Sequence, residues 1–356
     1  MHLAEKKYDP ARNSPVSNRP VVTLDWDNTV LKNDAGDAFF YYLVANSLIK
    51  SPENWNQTSE YLTADAIKEL NEKCRNEKSG TVLKTSENQS CADLILSIYD
   101  DKKLTSGKEA WAKSNNADRI EPAYAWVAQL TAGYKKKEIR KFAKAAMLFN
   151  STHTKGAKQK IGSKEYTAWV RVYDQMIEMV SALQSMEFDV WVVTASPQLV
   201  VEAYSEIIGI PTDRIIGIRS TQNKGRATYG LEGCGGYENG NQSIITYRQG
   251  KRCWINKEIF QYTNKLWQME KPSPIILAAG DSDTDVFFVK DAQVHLVINR
   301  NKTELMCNAY ANQDGNWIIN PMFIDPKKQK KPEAEGQPAY SCKKYNLPDV
   351  AIDTVF

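Results

Sequence analysis

The amino-acid sequence predicts an α/β fold, a doubly wound parallel sheet with a helical segment inserted near its start. Three observations carry the prediction. Residues 21–24, 190–193, 275–279 and 294–298 are short runs, largely apolar on consecutive rather than alternate positions. Strands of that kind are buried on both faces, as in parallel sheets covered by helices. Helical patterns lie between these runs. Residues able to do chemistry follow three of them, at Asp25, Thr194 and Asp281, at the edge where doubly wound sheets bind ligands.

Residues 1–20 are polar and rich in Pro, Asn and Arg. They lack the apolar stretch of a signal peptide and read as a true N-terminus, or a mature or trimmed one. Val21-Val22-Thr23-Leu24 is the first strand and ends on Asp25-Trp26-Asp27-Asn28-Thr29. Residues 34–169 are polar, helix-prone and poor in strand-like runs, a helical domain between the first and second strands. Within it Glu121-Pro122 opens a helix with Pro in the first turn. Trp126, Val127 and Leu130 line its side and Gly133 stops it. Residues 155–164, rich in Gly, Lys and Ser, read as a loop.

Val172, Met176, Met179 and Leu183 recur at helical spacing, ahead of the strand Val190-Trp191-Val192-Val193. A second amphipathic run, Leu199 to Ile208, is closed by Gly209 and Pro211. Residues 220–250 are glycine-rich and read as a hairpin-rich insertion ahead of Lys251. Ile275-Ile276-Leu277 leads into Ala279-Gly280-Asp281, and Val294–Ile298 is the last core strand. The expected division is a core at 20–33 and 170–320, a helical domain at 34–169 and the insertion at 220–250. A tail at 321–356, punctuated by Pro326, Pro332, Pro338 and Pro348, should run extended over the surface. No internal repeat is visible.

Composition excludes several classes. A net charge of +3 over 356 residues announces no nucleic-acid binding. Lys135-Lys136-Lys137 and Lys327-Lys328 read as solvated surface. No run reaches the ~18–20 apolar residues that span a bilayer. The six cysteines form no CxxC pair and only three histidines exist, which argues against structural zinc. The cysteines fall as sequence neighbours, 74 with 91, 234 with 253 and 307 with 342. That pattern is compatible with disulfides and a periplasmic or secreted protein. Six reduced, buried thiols in a cytoplasmic protein are the other reading.

The fold brings Asp25, Asp27, Thr194, Asp281 and Asp285 to one crevice. Two carboxylates ~4 Å apart repel by about 4 kcal/mol at an effective dielectric near 20. A divalent cation is the physical remedy, and an all-oxygen Asp site is typical of Mg²⁺. Lys251 supplies one more positive charge. Asp25 is the candidate nucleophile, because carboxylates attack phosphoryl groups to give aspartyl-phosphates.

In order along the chain, strand–DxDxT, strand–Thr194, Lys251 and strand–GDxxxD resemble the haloacid dehalogenase superfamily of phosphotransferases. The resemblance spans about 20–33 and 170–310. It implies a Rossmann-like core, with residues 34–169 as a cap closing over the site. It implies Asp27 as general acid and then base, and Thr194 as a hydrogen-bond donor to the phosphoryl oxygens. Lys251 would hold Asp25 and the transferring group. Mg²⁺ would be held by the side chains of Asp25 and Asp281 and the backbone carbonyl of Asp27. Asp285 would support the metal or the lysine. Asp283 stays outside this set, and Ser196 is either a lip of the pocket or a helix N-cap before Pro197, the cap being the favoured reading.

An acid at Asp27 favours phosphate esters, since dehalogenases of the superfamily protonate no alcohol. Asn28, the position of the helical insertion and Gly250-Lys251 are most similar to the phosphoserine phosphatase branch. Within it, DxDNT and the large cap resemble bacterial phosphorylcholine phosphatases. The implied substrate is a small phosphorylated metabolite, phosphorylcholine-like or phosphoserine-like. Trp26, Trp55, Trp111, Trp126 and Trp169 offer material for a cage around a quaternary ammonium; packing the helical core is their plainer use. The alternative from another class is a catalytically silent binding protein on the same fold. Oligomeric state is not read from the sequence.

Overall fold

The computed structural model describes residues 19–74, 78–114, 117–235, 244–262, 266–269 and 273–354. Six strands form one sheet: β1 (Val21–Leu24), β2 (Asp189–Pro197), β3 (Ile215–Ile218), β4 (Ile275–Gly280), β5 (Val294–Asn299) and β6 (Trp317–Pro321). Their order is β6-β5-β4-β1-β2-β3, and every neighbouring pair is parallel. With helices on its faces this is the doubly wound α/β fold the sequence predicts. β3 and β6 were not expected. Both are edge strands, and β6 carries Asn320 and Pro321, which edges tolerate.

The register sets up the site. Leu24 lies opposite Val192 on one side and Ala279 on the other. The chain leaves β1 for β2 on one flank and returns to β4 on the other, so order reverses at β1. Such a reversal opens a crevice beyond the carboxyl ends of the strands. All four residues of β1 are buried, as the continuous pattern requires.

Among the described residues of the inserted segment 34–169 are five α-helices: α1 (Ala35–Ala45), α2 (Ala64–Lys73), α3 (Gln89–Asp100), α4 (Pro122–Gln129) and α5 (Lys136–Thr152). Glu121 caps α4 through the Ala123 N–H, and Gly133 takes the left-handed φ of +83° that ends the following turn. α6 (Asp174–Ser185) is the helix read from Val172, Met176, Met179 and Leu183. α7 (Gln249–Glu258) carries Lys251, and α8 (Thr303–Ala311) follows β5. Residues 155–164 are not simply a loop: Lys158–Ile161 pairs antiparallel with Lys164–Thr167. Three of those eight residues are Lys and four are exposed, so no apolar alternation betrayed the hairpin.

A second hairpin joins Ser220–Asn223 to Arg226–Leu231, inside the insertion expected at 220–250; residues 236–243 lie outside the described residues. It grips the α4–α5 turn through Gly133 N–H to Ala227 O and Ala227 N–H to Tyr134 O, both 2.8 Å. Cys74–Cys91, Cys234–Cys253 and Cys307–Cys342 are disulfides, as the sequence neighbours were paired. The tail is extended, and it buries Tyr340 and Cys342 fully. No helix among the described residues is long and apolar enough to cross a membrane.

Candidate active site

Asp25 begins the loop after β1, held by its own N–H to Ala279 O at 2.9 Å. The loop curls at Asn28, whose φ of +63° suits Asn better than most side chains. Val30 N–H then bonds back to Trp26 O at 2.8 Å. This turn aims Asp25 and Asp27 to the same side. Asp25 Oδ1 accepts from Lys251 Nζ at 2.6 Å, and its Oδ2 from the Thr29 hydroxyl at 3.0 Å. The same hydroxyl lies 3.2 Å from Asp281 Oδ1, so one proton serves two carboxylates.

Lys251 is fully buried and has a second partner, Asp285 Oδ1, at 2.6 Å. Asp285 Oδ2 accepts the N–H groups of Asp281 and Ser282 at 3.1 and 3.0 Å, which fixes the loop beyond β4. Arg300, one residue past β5, places Nη1 2.5 Å from Asp281 Oδ2.

Burial is the main force raising Asp25 well above the usual carboxylate range; Asp285 adds to it and Lys251 opposes it. Burial also lifts Asp281 to about 6, against the pull of Arg300. Lys251 feels the same burial, but Asp25 and Asp285 outweigh it and keep the ammonium charged. Three buried acids thus face two cations. Asp25, Asp281 and Asp285 each offer a carboxylate oxygen, all within 4.8 Å of one another. An anionic, all-oxygen set of this size fits Mg²⁺.

Asp27 is clamped at both oxygens. Oδ1 accepts the Ala35 N–H and Oδ2 the Ser196 hydroxyl, each at 2.6 Å. Burial first, then Asp34, pushes Asp27 well above its ordinary range, while these two bonds pull it down. Ser196 is therefore not a helix cap: the short helix at 198–201 has Pro197 at its cap and no side-chain cap bond. Thr194 is fully buried, and its Oγ1 accepts the Ser196 N–H at 3.0 Å; Ala195 and Ser196 line the cavity there. Asp283 accepts the Leu305 N–H at 3.1 Å, within the first turn of α8.

The carboxylates open into a cavity of about 490 Å³. Asp34, Asp37, Tyr41, Tyr99, Tyr124 and Trp169 form its wall on the helical side. Tyr99 donates to Asp37 at 2.6 Å and Tyr41 to Asp100 at 2.9 Å. Burial lifts Asp34 to about 8 and Asp37 to about 7. Of the five tryptophans considered for a cage, only Trp169 reaches this cavity. Trp55 and Trp111 pack against Trp126 at ring separations of 6.4 and 5.5 Å, and Trp26 meets the edge of Tyr204 at 5.5 Å. Tyrosines hold the place expected of tryptophans. Arg300, Asp34 and Asp37 were missed, and Ser196, considered as a pocket lip, was ranked below its cap reading; only the position of Arg300, directly after an apolar strand, gave a signal.

No family model matches the chain, and no curated protein does. Among solved structures, a conserved protein of unknown function from Anaerococcus prevotii DSM 20548 is 19% identical. It covers 88% of this chain and 87% of its own, with a TM-score of 0.58. A protein of unknown function from Bordetella pertussis Tohama I is 14% identical over 86% of this chain and 99% of its own, at TM-score 0.50. These two share the fold. A phosphoserine phosphohydrolase-like protein from Francisella tularensis is 13% identical over 78% of this chain and 86% of its own, with a looser TM-score of 0.36.

Proposed function

We propose that this protein is a Mg²⁺-dependent phosphomonoesterase of the haloacid dehalogenase type, working through an aspartyl-phosphate on Asp25. The observation that carries the reading is the juxtaposition, from three separate parts of the chain, of Asp25 and Asp281, which line one cavity, with Lys251 buried behind Asp25. Asp25, Asp281 and the backbone carbonyl of Asp27 would hold the ion, with Asp285 behind them bracing Lys251 and the loop. When bound, Mg²⁺ supplies positive charge that lets a phosphate dianion enter among carboxylates.

Asp25 attacks phosphorus as the bond to the leaving oxygen breaks. Asp27 gives its proton to that oxygen, and its raised pKa keeps a proton available. With the alcohol gone, Asp27 takes a proton from water, whose oxygen bonds to phosphorus as the acyl-phosphate O–P bond to Asp25 breaks, releasing phosphate and the free carboxylate. Lys251 fixes the orientation of Asp25 in both steps. Thr194 acts on the phosphoryl group through the 194–196 turn, whose Ser196 N–H it holds. Residues 34–169 serve as the cap that excludes water.

The wall residues favour a small cationic alcohol as leaving group. Asp34 and Asp37 have no ion-pair partner among the described residues, and tyrosine rings surround them. Aromatic faces and unpaired acids attract ammonium groups, at about 0.5–2 kcal/mol per face. Phosphorylcholine fits this chemistry directly, and phosphoserine fits through its ammonium. The three disulfides support a periplasmic or secreted location. A panel of choline, ethanolamine, serine and glycerol phosphates, with Mg²⁺ and with EDTA, tests the reading. The cationic esters should exceed glycerol phosphate by ~10-fold in kcat/KM, the equivalent of one or two such faces. Turnover that survives EDTA, or no turnover of any ester, would overturn it.

A further inference from the structure

Asp27 is the acid on which alcohol release depends, yet it belongs to a loop rather than to a strand or helix. Two groups hold it. The Ala35 N–H, at the start of α1, meets Oδ1 at 2.6 Å, and the Ser196 hydroxyl meets Oδ2 at 2.6 Å. Ala35 comes from the helical segment and Ser196 from the end of β2, so the carboxyl is pinned from both sides. Each carboxyl oxygen has a second lone-pair direction left to serve the leaving oxygen.

The space for this arrangement depends on one missing atom. A Cβ on Gly36 would stand 2.5 Å from Ser196 Oγ, 3.1 Å from Asp34 Oδ1 and 3.4 Å from Ser196 Cβ, so the serine hydroxyl is the atom it clashes with and Asp34 need yield only a few tenths of an ångström. Contacts below 3.0 Å force one partner to move. The hydroxyl is the movable one, because its Cβ is anchored by Pro197 on one side and by the Thr194-held N–H on the other. Gly36 has no positive φ, so backbone freedom does not explain the glycine here. Room for the serine hydroxyl does.

We propose that Ser196, given room by Gly36, is a positioning residue that holds the Asp27 carboxyl for proton delivery to the leaving oxygen. The inference rests on the phosphatase reading above. Its signature is selectivity by leaving group. A nitrophenolate leaves without much help, whereas an alkoxide needs the proton. Misplacing an acid by about 1 Å costs ~10²-fold where its proton matters. The burden should therefore fall on alkyl esters.

The experiment compares kcat/KM on nitrophenyl phosphate and on an alkyl phosphate for wild type, Asp27→Asn, Ser196→Ala, Ser196→Thr and Gly36→Ala. Asp27→Asn calibrates the assay: it should cut the alkyl ester far more than the aryl ester. Ser196→Ala and Gly36→Ala should each do the same, with an alkyl-to-aryl ratio at least tenfold below wild type. Gly36→Ala does so without removing any polar group. Ser196→Thr, which keeps the hydroxyl, should recover most of the ratio. Melting curves of all variants show that each is folded. If Asp27→Asn lowers both esters equally, the role of Asp27 fails and the inference with it. If Asp27→Asn is selective but Ser196→Ala and Gly36→Ala lower both esters equally, the phosphatase reading stands and this inference is wrong.

Discussion

Replacing Lys251 with Met tests the electrostatics of the cluster apart from catalysis. The side chain is fully buried, with Nζ 2.6 Å from Asp25 and 2.6 Å from Asp285. Methionine keeps the stem and removes the charge. Asp25 and Asp285 then face each other without a counter-ion, with oxygens no more than 4.8 Å apart. At that distance and an effective dielectric near 20, two ionised carboxylates repel by ~3.5 kcal/mol. Breaking a buried pair by removing one partner typically costs about 3–5 kcal/mol, in agreement. The sign of the pH dependence follows from the acids. Burial holds Asp25 and Asp281 above the usual carboxylate range, so the fold disfavours their ionised forms, and stability falls as pH rises from about 4 through their folded values. Lys251 pulls Asp25 down, so losing it raises Asp25 further and steepens the fall. Urea midpoints measured from pH 5 to pH 9 read the effect. The gap between wild type and Lys251→Met should be small at pH 5 and reach roughly 4 kcal/mol at pH 8. A gap that is constant with pH, or under about 1 kcal/mol throughout, would refute the view that Lys251 is the charge that makes the cluster tolerable.

Three further outcomes are expected. Asp25→Asn should leave no detectable turnover on any ester, measured by phosphate release against wild type. Choline, as a competitive inhibitor, should bind more tightly as pH rises from 6 to 9, because Asp37 at about 7 and Asp34 at about 8 become ionised over that range; inhibition constants that are flat or weaken with pH would remove these acids from the cation site. The disulfides close separations of 17, 19 and 35 residues, and loop-closure entropy assigns each about 3–4 kcal/mol. Reduction should lower the melting temperature and expose the tail after Pro321 to protease before the core, since Cys307–Cys342 pins it; simultaneous cleavage of tail and core would count against that order.

The cluster of acids around Lys251 was legible in the sequence because its residues lie in contiguous motifs at strand ends. Asp25, Lys251, Asp281 and Asp285 meet as their spacing implied, since continuous apolar strands leave few alternatives to a parallel sheet. The helical span between β1 and β2 was equally visible, because its polarity differs from the core. Ser196 was misread because a serine before proline has the same local signature whether it caps a helix or reaches 169 residues back to Asp27. The wall of Asp34, Asp37 and the tyrosines was invisible for a related reason. Asp34 and Asp37 resemble ordinary first-turn acids of α1, and Asp34 does cap that helix through the Asp37 N–H at 2.8 Å. Nothing local says that both also face a cavity. The tryptophans followed their plainer reading: composition made them conspicuous for a cage, but packing in the helical segment claims Trp55, Trp111 and Trp126.

The central claim is that Asp25 carries the phosphoryl group during turnover. Rapid acid quench of the enzyme with a phosphomonoester and Mg²⁺, followed by peptide mass spectrometry, tests it most directly. The account predicts one added phosphoryl group on the peptide containing Asp25, formed within the first turnover and lost on incubation with hydroxylamine. It predicts no such group in Asp25→Asn or after chelation of the metal. Steady turnover with an unmodified Asp25 peptide, or a phosphoryl group found on another residue, would contradict it.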